Sequence, residues 1–358
     1  MKKFVTINVG SGDAFYLERE EASILYDGGG SEKRFAKLFQ NELNKTHVDI
    51  IVCSHNDSDH TNGIIGYLNS NLSCNEVWLP ANWTAKLDFL LLNTDVFFDN
   101  LINECKNNIN LDILEKTISS SMYQDNEVLD LESLINKSLK IDNKYILKRN
   151  ISILSNSNYK LFIKLFNTAN RIRQIVLLAY KRNLKIRWFQ YDLSHTASGG
   201  ENYFKPVNCI ELKKLHNKKI TTLEYLALTR INKESLVFYS PLVENLVDGI
   251  LFSADSDYSF SQPVPQSLGK NPIITVPHHG SKSNEIAYGS SQLRSYVNNP
   301  KTTLVRSDGK YSKRPGNIYK SLNLIKYCTR CNGYTTWQSI VLIPSNHSWI
   351  SNNFNCCC

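Results

Sequence analysis

Short runs of alternating hydrophobic and polar residues fill the first 80 positions of the chain, and glycine-rich turns separate them. This pattern is typical of β-strands, whereas EKRFAKLFQNELNK at residues 32–45 has the apolar spacing of an amphipathic helix. Strands that alternate with a helix indicate an α/β fold. The predicted strands are FVTINV at 4–9, AFYLE at 14–18, ASILYD at 22–27, VDIIVCS at 48–54 and NEVWLP at 75–80.

Helical periodicity replaces the strand pattern between about residues 84 and 185, most clearly at 87–104 and 158–183. Strand-like runs then return at 186–191, 235–242, 249–255, 273–277 and 302–308. We therefore predict two halves of one α/β domain around a helical insertion. The predicted parts are the first half at 1–83, the insertion at 84–185, the second half at 186–345 and a C-terminal tail at 346–358.

The composition is that of a folded globular protein, because 42% of the 358 residues are hydrophobic and 21% are charged. Lys and Arg outnumber Asp and Glu by 41 to 33, and the net charge of +8 favours anionic partners. No apolar stretch approaches the roughly 20 residues of a membrane span. We expect a cytoplasmic protein without membrane association.

The predicted insertion divides by charge. Residues 84–136 carry ten acidic and three basic side chains, whereas residues 137–187 carry thirteen basic and one acidic. Two interpretations stay open: the two groups pair or are simply solvated, or the basic group guides an anionic substrate. The insertion is also a candidate surface for a protein partner.

A dense polar segment, SHNDSDHTNG, follows the predicted strand at 48–54. It holds two histidines and two aspartates, namely His55, Asp57, Asp59 and His60. If the segment is extended up to a helix beginning near Thr61, alternate positions project to the same side. Imidazole and carboxylate are the usual ligands of catalytic divalent cations, so the segment predicts a metal site. The alternative is an accidental polar turn.

Two later segments add the same residue types at strand ends. His278 and His279 follow the predicted strand at 273–277, and one imidazole could bind a metal while its neighbour donates a proton. Asp255 ends another strand and could bridge two cations, with Asp257 as the substitute in a shifted register.

Six motifs follow one another along the chain: GSGDA at 10–14, YDGGG at 26–30, SHNDSDHTNG at 54–63, SLVFY at 235–239, FSAD at 252–255 and PHHGSK at 277–282. In this order they resemble the metallo-β-lactamase superfamily and, more narrowly, the hydrolase domain of the ComEC competence protein and its stand-alone relatives. The resemblance covers about residues 1–82 and 232–325 and implies an αβ/βα sandwich, here with a helical insertion between the halves.

The resemblance implies a metal-dependent hydrolase, a phosphodiesterase or nuclease that uses a metal-activated water on an anionic phosphoester such as DNA or RNA. It implies one or two divalent ions, with zinc or manganese expected, and Asp57 in place of a histidine shifts the preference from zinc toward manganese, iron or magnesium without excluding zinc. The implied ligands are His55 and Asp57 for one ion, Asp59 and His60 for the other, Asp255 as a bridge, and His279.

The catalytic expectations follow from this ligand set. Asp59 would orient or deprotonate the water, and His278 or His279 would protonate the leaving oxygen. Ser281 and Lys282 are predicted to contact substrate, although a serine after a glycine turn usually caps the next helix.

The chain departs from the family pattern near its end, where KYSKRPG stands in place of a segment like NxYGHP. Arg314 therefore replaces a histidine, and an arginine cannot coordinate a cation. The second metal position could then be short of a ligand, filled by His279 or absent. Arg314 itself could stabilise the charge of the transition state or be a surface arginine. The third histidine of better-known members has only His195 as a candidate.

Three alternatives stay open at this point. The chain could be a lactone, thioester or other acyl hydrolase, since the same chemistry attacks carbonyls. It could also be a degenerate member that binds metal or nucleotide in a signalling or protein-interaction role. Separately, Cys328 and Cys331 could join the C-terminal cysteines in a structural zinc site.

Overall fold

The fold was analysed in a computed structural model of the chain. It describes the chain except residues 108–109, 120–121, 123–124, 140–153, 194–195, 245, 309–313, 331–337, 352–355 and 357–358.

Short strands dominate both ends of the chain, and most of the helices lie between them. In chain order, the strands are β1 Lys3–Thr6, β2 Phe15–Glu18, β3 Ser23–Tyr26, β4 His47–Val52, β5 Ser73–Pro80, β6 Asp125–Val128, β7 Lys185–Tyr191, β8 Lys205–Pro206, β9 Cys209–Leu212, β10 His216–Lys218, β11 Phe238–Ser240, β12 Ile250–Phe252, β13 Ile273–Thr275, β14 Thr303–Arg306, β15 Ile325–Cys328, β16 Ile340–Ser345 and β17 Ser348–Ser351. The α-helices are α1 Glu32–Leu43, α2 Ser58–Leu68, α3 Leu87–Leu92, α4 Thr94–Cys105, α5 Leu111–Thr117, α6 Leu131–Leu139, α7 Asn156–Lys181, α8 Thr222–Leu228, α9 Arg294–Val297 and α10 Asn317–Ser321.

Two large sheets and one small strand pair account for these strands in the described part of the chain. The first sheet has the order β17-β16-β1-β2-β3-β4-β5-β7-β9, and the second has the order β15-β14-β13-β12-β11-β8. Strands β6 and β10 pair separately. Within the first sheet β3, β4, β5 and β7 run parallel, and within the second β12 to β15 run parallel.

The two large sheets face each other across an aromatic core. Alternate side chains of each strand point to opposite faces of its sheet, so Phe15 and Trp78 meet Phe238 and Phe252 between the sheets. The opposite face of the first sheet packs on helices, and that of the second packs on short helical segments. This layering is the predicted αβ/βα sandwich, and the fold class is confirmed.

The predicted helical region is largely helical, with α3 to α7 between β5 and β7. Its buried side chains, among them Phe98 and Ile172, belong to the same hydrophobic cluster as Ile64 of α2 and Val77 of β5. The region therefore extends the helical layer over the first sheet. Asp125–Val128 within it is a strand, since it pairs with His216–Lys218.

The predicted bounds of the two halves stay predictions, and the sheet topology shows where the C-terminal strands lie. Strands β7, β9, β16 and β17 all belong to the first sheet, because the chain returns to both of its edges after the insertion. The range 346–358, predicted as a tail, contains β17, which pairs antiparallel with β16. None of the helices in the described part of the chain has the length and apolar character of a membrane span.

Candidate metal centre

The site lies where parallel strands of both sheets end at one edge of the sandwich. Asp27 follows β3 and His55 follows β4 in the first sheet, whereas Asp255 follows β12 and His278 follows β13 in the second. Side chains after the carboxyl ends of parallel strands commonly form the binding crevice of an α/β protein. The sandwich thus brings together segments that are far apart in sequence.

Helix α2 begins at Ser58, three residues earlier than the sequence predicts, and Asp57 is the residue that precedes its first turn. Close packing against glycines fixes this start. A Cβ atom on Gly12 would lie 1.6 Å from the carbonyl oxygen of Asp59, and one on Gly63 would lie 1.7 Å from that of Gly28. Because the helix starts early, Asp59 and His60 lie on its first turn and Asp57 immediately precedes it.

Four donor atoms converge in the centre of this edge. Nε2 of His60 lies 3.2 Å from Nε2 of His279 and 3.2 Å from Oδ1 of Asp255. Nε2 of His279 lies 3.4 Å from Oδ2 of Asp59 and 3.5 Å from Oδ1 of Asp255. Ligands at about 2.1 Å from a tetrahedral ion are about 3.4 Å apart. The mutual spacing of His60, His279 and Asp255 therefore fits one divalent cation, and Asp59 adjoins this group through His279.

Two buried carboxylates fix the orientation of the central histidines. Oδ2 of Asp27 accepts a hydrogen bond from Nδ1 of His60 at 2.8 Å, and Oδ1 of Asp13 accepts one from Nδ1 of His279 at 2.9 Å. With Nδ1 donating to these carboxylates, each ring turns its Nε2 toward the centre of the cluster. Oδ1 of Asp255, which faces both Nε2 atoms, is buried without a hydrogen-bond partner among the described residues, so the donor set fits a metal ion.

Asp13 also belongs to a buried group of possible ligands with His60, Asp255 and His279, whose ligand atoms all lie within 4.8 Å of one another. We assign Asp13 as an orienting carboxylate, because its Oδ1 is bonded to the histidine nitrogen that faces away from the cluster. Carboxylate–histidine–metal arrangements of this kind are the usual second layer around a protein metal site.

The electrostatics of the cluster favour a positive charge. Burial lowers the pKa of His279, but Asp13 and Asp255 outweigh burial and raise this pKa to about 10. Burial would raise the pKa of Asp59, yet the hydrogen bond from His279 and the charge of His60 hold it well below its usual range. The pKa of Asp255 is depressed in the same way. A cation would therefore meet ionised carboxylates.

A second pair of histidines faces the other oxygen of Asp255. Its Oδ2 lies 3.7 Å from Nε2 of His55 and 3.4 Å from Nε2 of His278. Ser54 donates to Asp27 and accepts from Nδ1 of His55, so the Nε2 lone pair of His55 faces Asp255 without a hydrogen-bond partner. Asp255 thus stands between two histidine pairs, as the bridging role predicts. We call these the His60–His279 position and the His55–His278 position.

Asp57, predicted as a metal ligand, is paired with an arginine in the structure, and its role as a ligand stays a prediction. Its Oδ1 lies 3.3 Å from Nη2 of Arg230, an ion pair without good hydrogen-bond geometry. Nε of Arg230 donates to Glu115 of α5 at 2.8 Å. Burial lowers the pKa of Arg230, but Asp57 and Glu115 outweigh burial and raise it.

Backbone strain concentrates at the same edge. Asp27, Ala254, His278 and His279 have φ values of 58°, 46°, 47° and 55°. Residues other than glycine seldom adopt this left-handed conformation, and such residues often cluster at functional sites. Here the strained turns bring the backbone round so that Asp255 and both histidines of the PHHG segment face the centre.

Arg314 lies beside the centre, as its position in the sequence suggests. Its Nη1 is 3.5 Å from Oδ2 of Asp59 and 3.1 Å from Oδ2 of Asp308, and its side chain is 23% exposed. Residues 310–313 of the KYSKRPG segment lie outside the described residues. The guanidinium therefore meets one of the four central donors and is open to solvent.

The two predicted substrate contacts occupy different surroundings. Ser281 is buried, and its Oγ accepts a hydrogen bond from the backbone N–H of Ser283 at the start of the 3₁₀ segment Lys282–Gly289, so it caps that segment. Lys282 is exposed. Asp257, the substitute for Asp255, instead accepts a hydrogen bond from the N–H of Ser259. Their contact with a substrate stays a prediction.

Several residues of the site were not identified as such in the sequence. For Asp13 and Asp27 a signal exists, because Asp27 ends the predicted strand at 22–27 beside a glycine turn, just as His55 follows the strand at 48–54. Arg230 and Asn232 carry no such signal. Asn232 donates from Nδ2 to Oδ2 of Asp255 at 3.0 Å.

Two sequence hypotheses fall at least partly outside the described residues. His195, the candidate for a third histidine, is one of them. So are Cys331, Cys357 and Cys358 of the proposed cysteine zinc site, whereas Cys328 is buried and receives a hydrogen bond from Nη1 of Arg306 at 3.0 Å.

Comparison with known families bears on the first part of the chain. Residues 7–71 match the model of the metallo-beta-lactamase superfamily, and this range includes Asp13, Asp27, His55, Asp59 and His60. The resemblance to that superfamily is confirmed, and the narrower ComEC-like subtype stays a prediction. No curated protein matches the sequence of the chain.

Two solved structures match with low scores. The hydrolase AbOPH of the beta lactamase superfamily is 13% identical with a TM-score of 0.32, and the match covers 70% of this chain and 56% of that one. AidC, a dizinc quorum-quenching lactonase in complex with its product N-hexnoyl-L-homoserine, is 10% identical with a TM-score of 0.34 over 98% of this chain and 80% of that one. At these TM-scores neither likeness bears on activity.

Proposed function

We propose that the protein is a metal-dependent hydrolase that cleaves phosphodiesters, with nucleic acid as the substrate class. The observation that carries this proposal is the cluster of Nε2 of His60, Nε2 of His279 and Oδ1 of Asp255, whose mutual separations of 3.2–3.5 Å match ligands of one cation, with Oδ2 of Asp59 3.4 Å from Nε2 of His279. The superfamily match over residues 7–71 supports it.

A divalent ion such as zinc or manganese, when bound, supplies Lewis acidity and lowers the pKa of coordinated water from 15.7 toward about 7. Nε2 of His60 and of His279 and the carboxylates of Asp59 and Asp255 would hold it. Asp27 and Asp13 keep both imidazoles in the orientation that binding needs.

In this proposal, His278 and Arg314 act on the substrate. His278 is 20% exposed at the edge of the cluster, so its imidazole can reach a substrate and pass a proton to the leaving oxygen. Arg314 presents a planar guanidinium, which suits two phosphate oxygens better than it suits a neutral ester. The net charge of +8 agrees with a polyanionic substrate.

The direct test uses the full chain, stripped of metal with a chelator and reloaded with Mn²⁺, Zn²⁺ or Mg²⁺. The substrates are bis(p-nitrophenyl) phosphate, labelled single- and double-stranded DNA, RNA, a lactone and a nitrophenyl ester. We expect phosphodiester cleavage that depends on metal and falls more than about 100-fold in His60→Ala and His279→Ala. His47→Ala is the matched control, because His47 is exposed at the start of β4 and contacts Ser73.

Arg314 separates the proposal from its alternatives. Arg314→Gln should lower kcat on phosphodiesters by about 10² to 10³-fold with unchanged metal content, and the exposed Arg294→Gln should not. Cleavage of the lactone or ester alone would contradict the proposal in favour of an acyl hydrolase. Tight metal binding without turnover would instead favour a binding or signalling role, a candidate supported by the contact of Arg314 with the donor Asp59.

A further inference from the structure

The two histidine pairs around Asp255 are not equivalent, because they differ in the carboxylates that lie near them. The His60–His279 position has a third donor in Asp59 and a fourth in Oδ1 of Asp255. The His55–His278 position has only Oδ2 of Asp255 besides its two imidazoles among the contacts described above. A second carboxylate would be needed there to match the first position.

Asp57 is the carboxylate whose place in the chain suits that role, but an arginine holds it. Arg230, directly after α8, lies 3.3 Å from Oδ1 of Asp57 and bonds Glu115 of α5 at 2.8 Å. Its side chain is only 11% exposed, so the two carboxylates and the guanidinium form a partly desolvated ion network. Moving Asp57 to a metal would leave Arg230 with Glu115 as its remaining ion-pair partner, which costs free energy in such surroundings.

A second arginine fixes the backbone of the same loop. Arg171 of α7 donates from Nη2 to the carbonyl oxygen of Asn56 at 2.8 Å and from Nε to Oδ1 of Asn56 at 3.2 Å. Asn56 returns a hydrogen bond to the carbonyl oxygen of Thr168. The residue before Asp57 is therefore fastened to α7, and the loop cannot easily rotate Asp57 toward the histidines.

The remaining carboxylate oxygen at this position is also engaged. Oδ2 of Asp255 accepts a hydrogen bond from Nδ2 of Asn232 at 3.0 Å. An amide N–H on this oxygen competes with a cation for its lone pairs. The affinity of the His55–His278 position for a cation is thus lowered in two ways, by the pairing of Arg230 with Asp57 and by the hydrogen bond of Asn232.

We propose that Arg230 and Asn232 are positioning residues that make the centre unequal, so that the His60–His279 position binds a divalent ion tightly and the His55–His278 position binds a second ion only weakly. This inference rests on the metal centre of the proposed function. It adds that metal stoichiometry depends on two residues after α8 that contact carboxylates of the centre without being ligands themselves.

The test measures metal uptake without substrate. The metal-free full chain is titrated with Zn²⁺ or Mn²⁺ in a calorimeter, and bound metal is counted by mass spectrometry after gel filtration. We expect one tight equivalent in the unmodified protein. Arg230→Met should release Asp57 and raise the affinity for a second ion at least tenfold, Asn232→Ala should raise it less, and the exposed Arg294→Met should leave it unchanged.

If circular dichroism shows that Arg230→Met does not fold well, Asp57→Asn provides a second test. In the unmodified background Asp57→Asn should leave the tight equivalent intact, and in the Arg230→Met background it should abolish the second. Two equivalents of similar affinity, one of them lost in Asp57→Asn, would overturn the inference while leaving the proposed hydrolase standing. Absence of any tight ion would overturn both.

Discussion

Asp27 joins two histidines of the candidate centre although it is not one of the proposed ligands. Its Oδ2 accepts hydrogen bonds from Nδ1 of His60 and from Oγ of Ser54, which in turn accepts from His55. Its Oδ1 accepts from the backbone N–H of Ser54. One buried carboxylate thus sets the ring orientation at both histidine positions.

Asp27→Asn should weaken metal binding about 10- to 100-fold, because an amide keeps only one acceptor oxygen and cannot accept from the backbone N–H of Ser54 while keeping both side-chain hydrogen bonds. Competition against a fluorescent chelator measures the change. Asp49→Asn is the matched control, since Asp49 bonds Ser23 on the same sheet. Equal affinities for the Asp27→Asn variant and the unmodified protein would contradict the orienting role.

Gly12 is a second residue whose role is steric. It has a φ of +86° and leaves no room for a Cβ atom beside the carbonyl oxygen of Asp59. We expect Gly12→Ala to lower the free energy of unfolding by about 1–3 kcal/mol and to weaken metal binding, because the start of α2 must shift. Gly289→Ala, with nothing within 4 Å of its Cβ position, should do neither in the same urea titrations and metal assays.

At the scale of elements, periodicity in the sequence predicts most strands and long helices, because buried faces repeat every second or every three to four residues. It misplaces the start of α2 at Thr61 instead of Ser58, since that boundary depends on close contact between Gly28 and Gly63 across the fold. The shift is three residues, and it places Asp59 and His60 on the first turn of the helix and Asp57 before it. Local pattern cannot provide that information.

Strands β5, β7 and β9 are joined by an ion network centred on a buried arginine. Arg187 on β7 donates to Glu211 on β9 at 2.7 and 2.5 Å, to Glu201 at 2.6 Å, and stacks 4.5 Å from the ring of Trp78 on β5. Hydrogen bonds from Arg187 hold the pKa of Glu211 below its ordinary value. This carboxylate therefore stabilises the sheet edge in its ionised form.

Glu211→Gln should lower the free energy of unfolding by about 1–3 kcal/mol at pH 7. Because the folded pKa is below the unfolded value of about 4.3, the contribution is complete above that value and fades as the pH falls further. Urea titrations at pH 7 and pH 3.5 should show that the free energies of unfolding of Glu211→Gln and the unmodified protein differ less at the lower pH. Glu20→Gln, at an exposed ion pair with Lys2, should change little at either pH. A pH-independent difference would argue against the ionic origin.

At the scale of the molecule, the histidines and Asp255 lie where motifs in the sequence suggest, because they follow buried strands that any α/β packing would align. The pairing of Asp57 with Arg230 could not be predicted in this way. It depends on how α5, α7 and α8 pack over the first sheet, and that packing is set by the shared hydrophobic cluster of the helical region. Sequence therefore indicates which residues gather, whereas tertiary packing decides which of them are available.

The centre draws donors from both sheets, and this gives the last prediction. His60 and Asp59 follow strand β4 of the first sheet, whereas His279 and Asp255 follow strands β13 and β12 of the second. An ion held by all four ties the two sheets together in the folded state alone. At a free concentration 100 times its dissociation constant, it should stabilise the fold by about 2.7 kcal/mol.

Thermal unfolding with a chelator and with added Zn²⁺ or Mn²⁺ measures this coupling. We expect the melting temperature to rise with metal in the unmodified protein and in His47→Ala, and the rise to vanish in His279→Ala, which loses the donor shared with both Asp59 and Asp255. A full metal-induced rise in His279→Ala would mean that the stabilising ion binds elsewhere. The four-donor centre could then not be the link between the sheets.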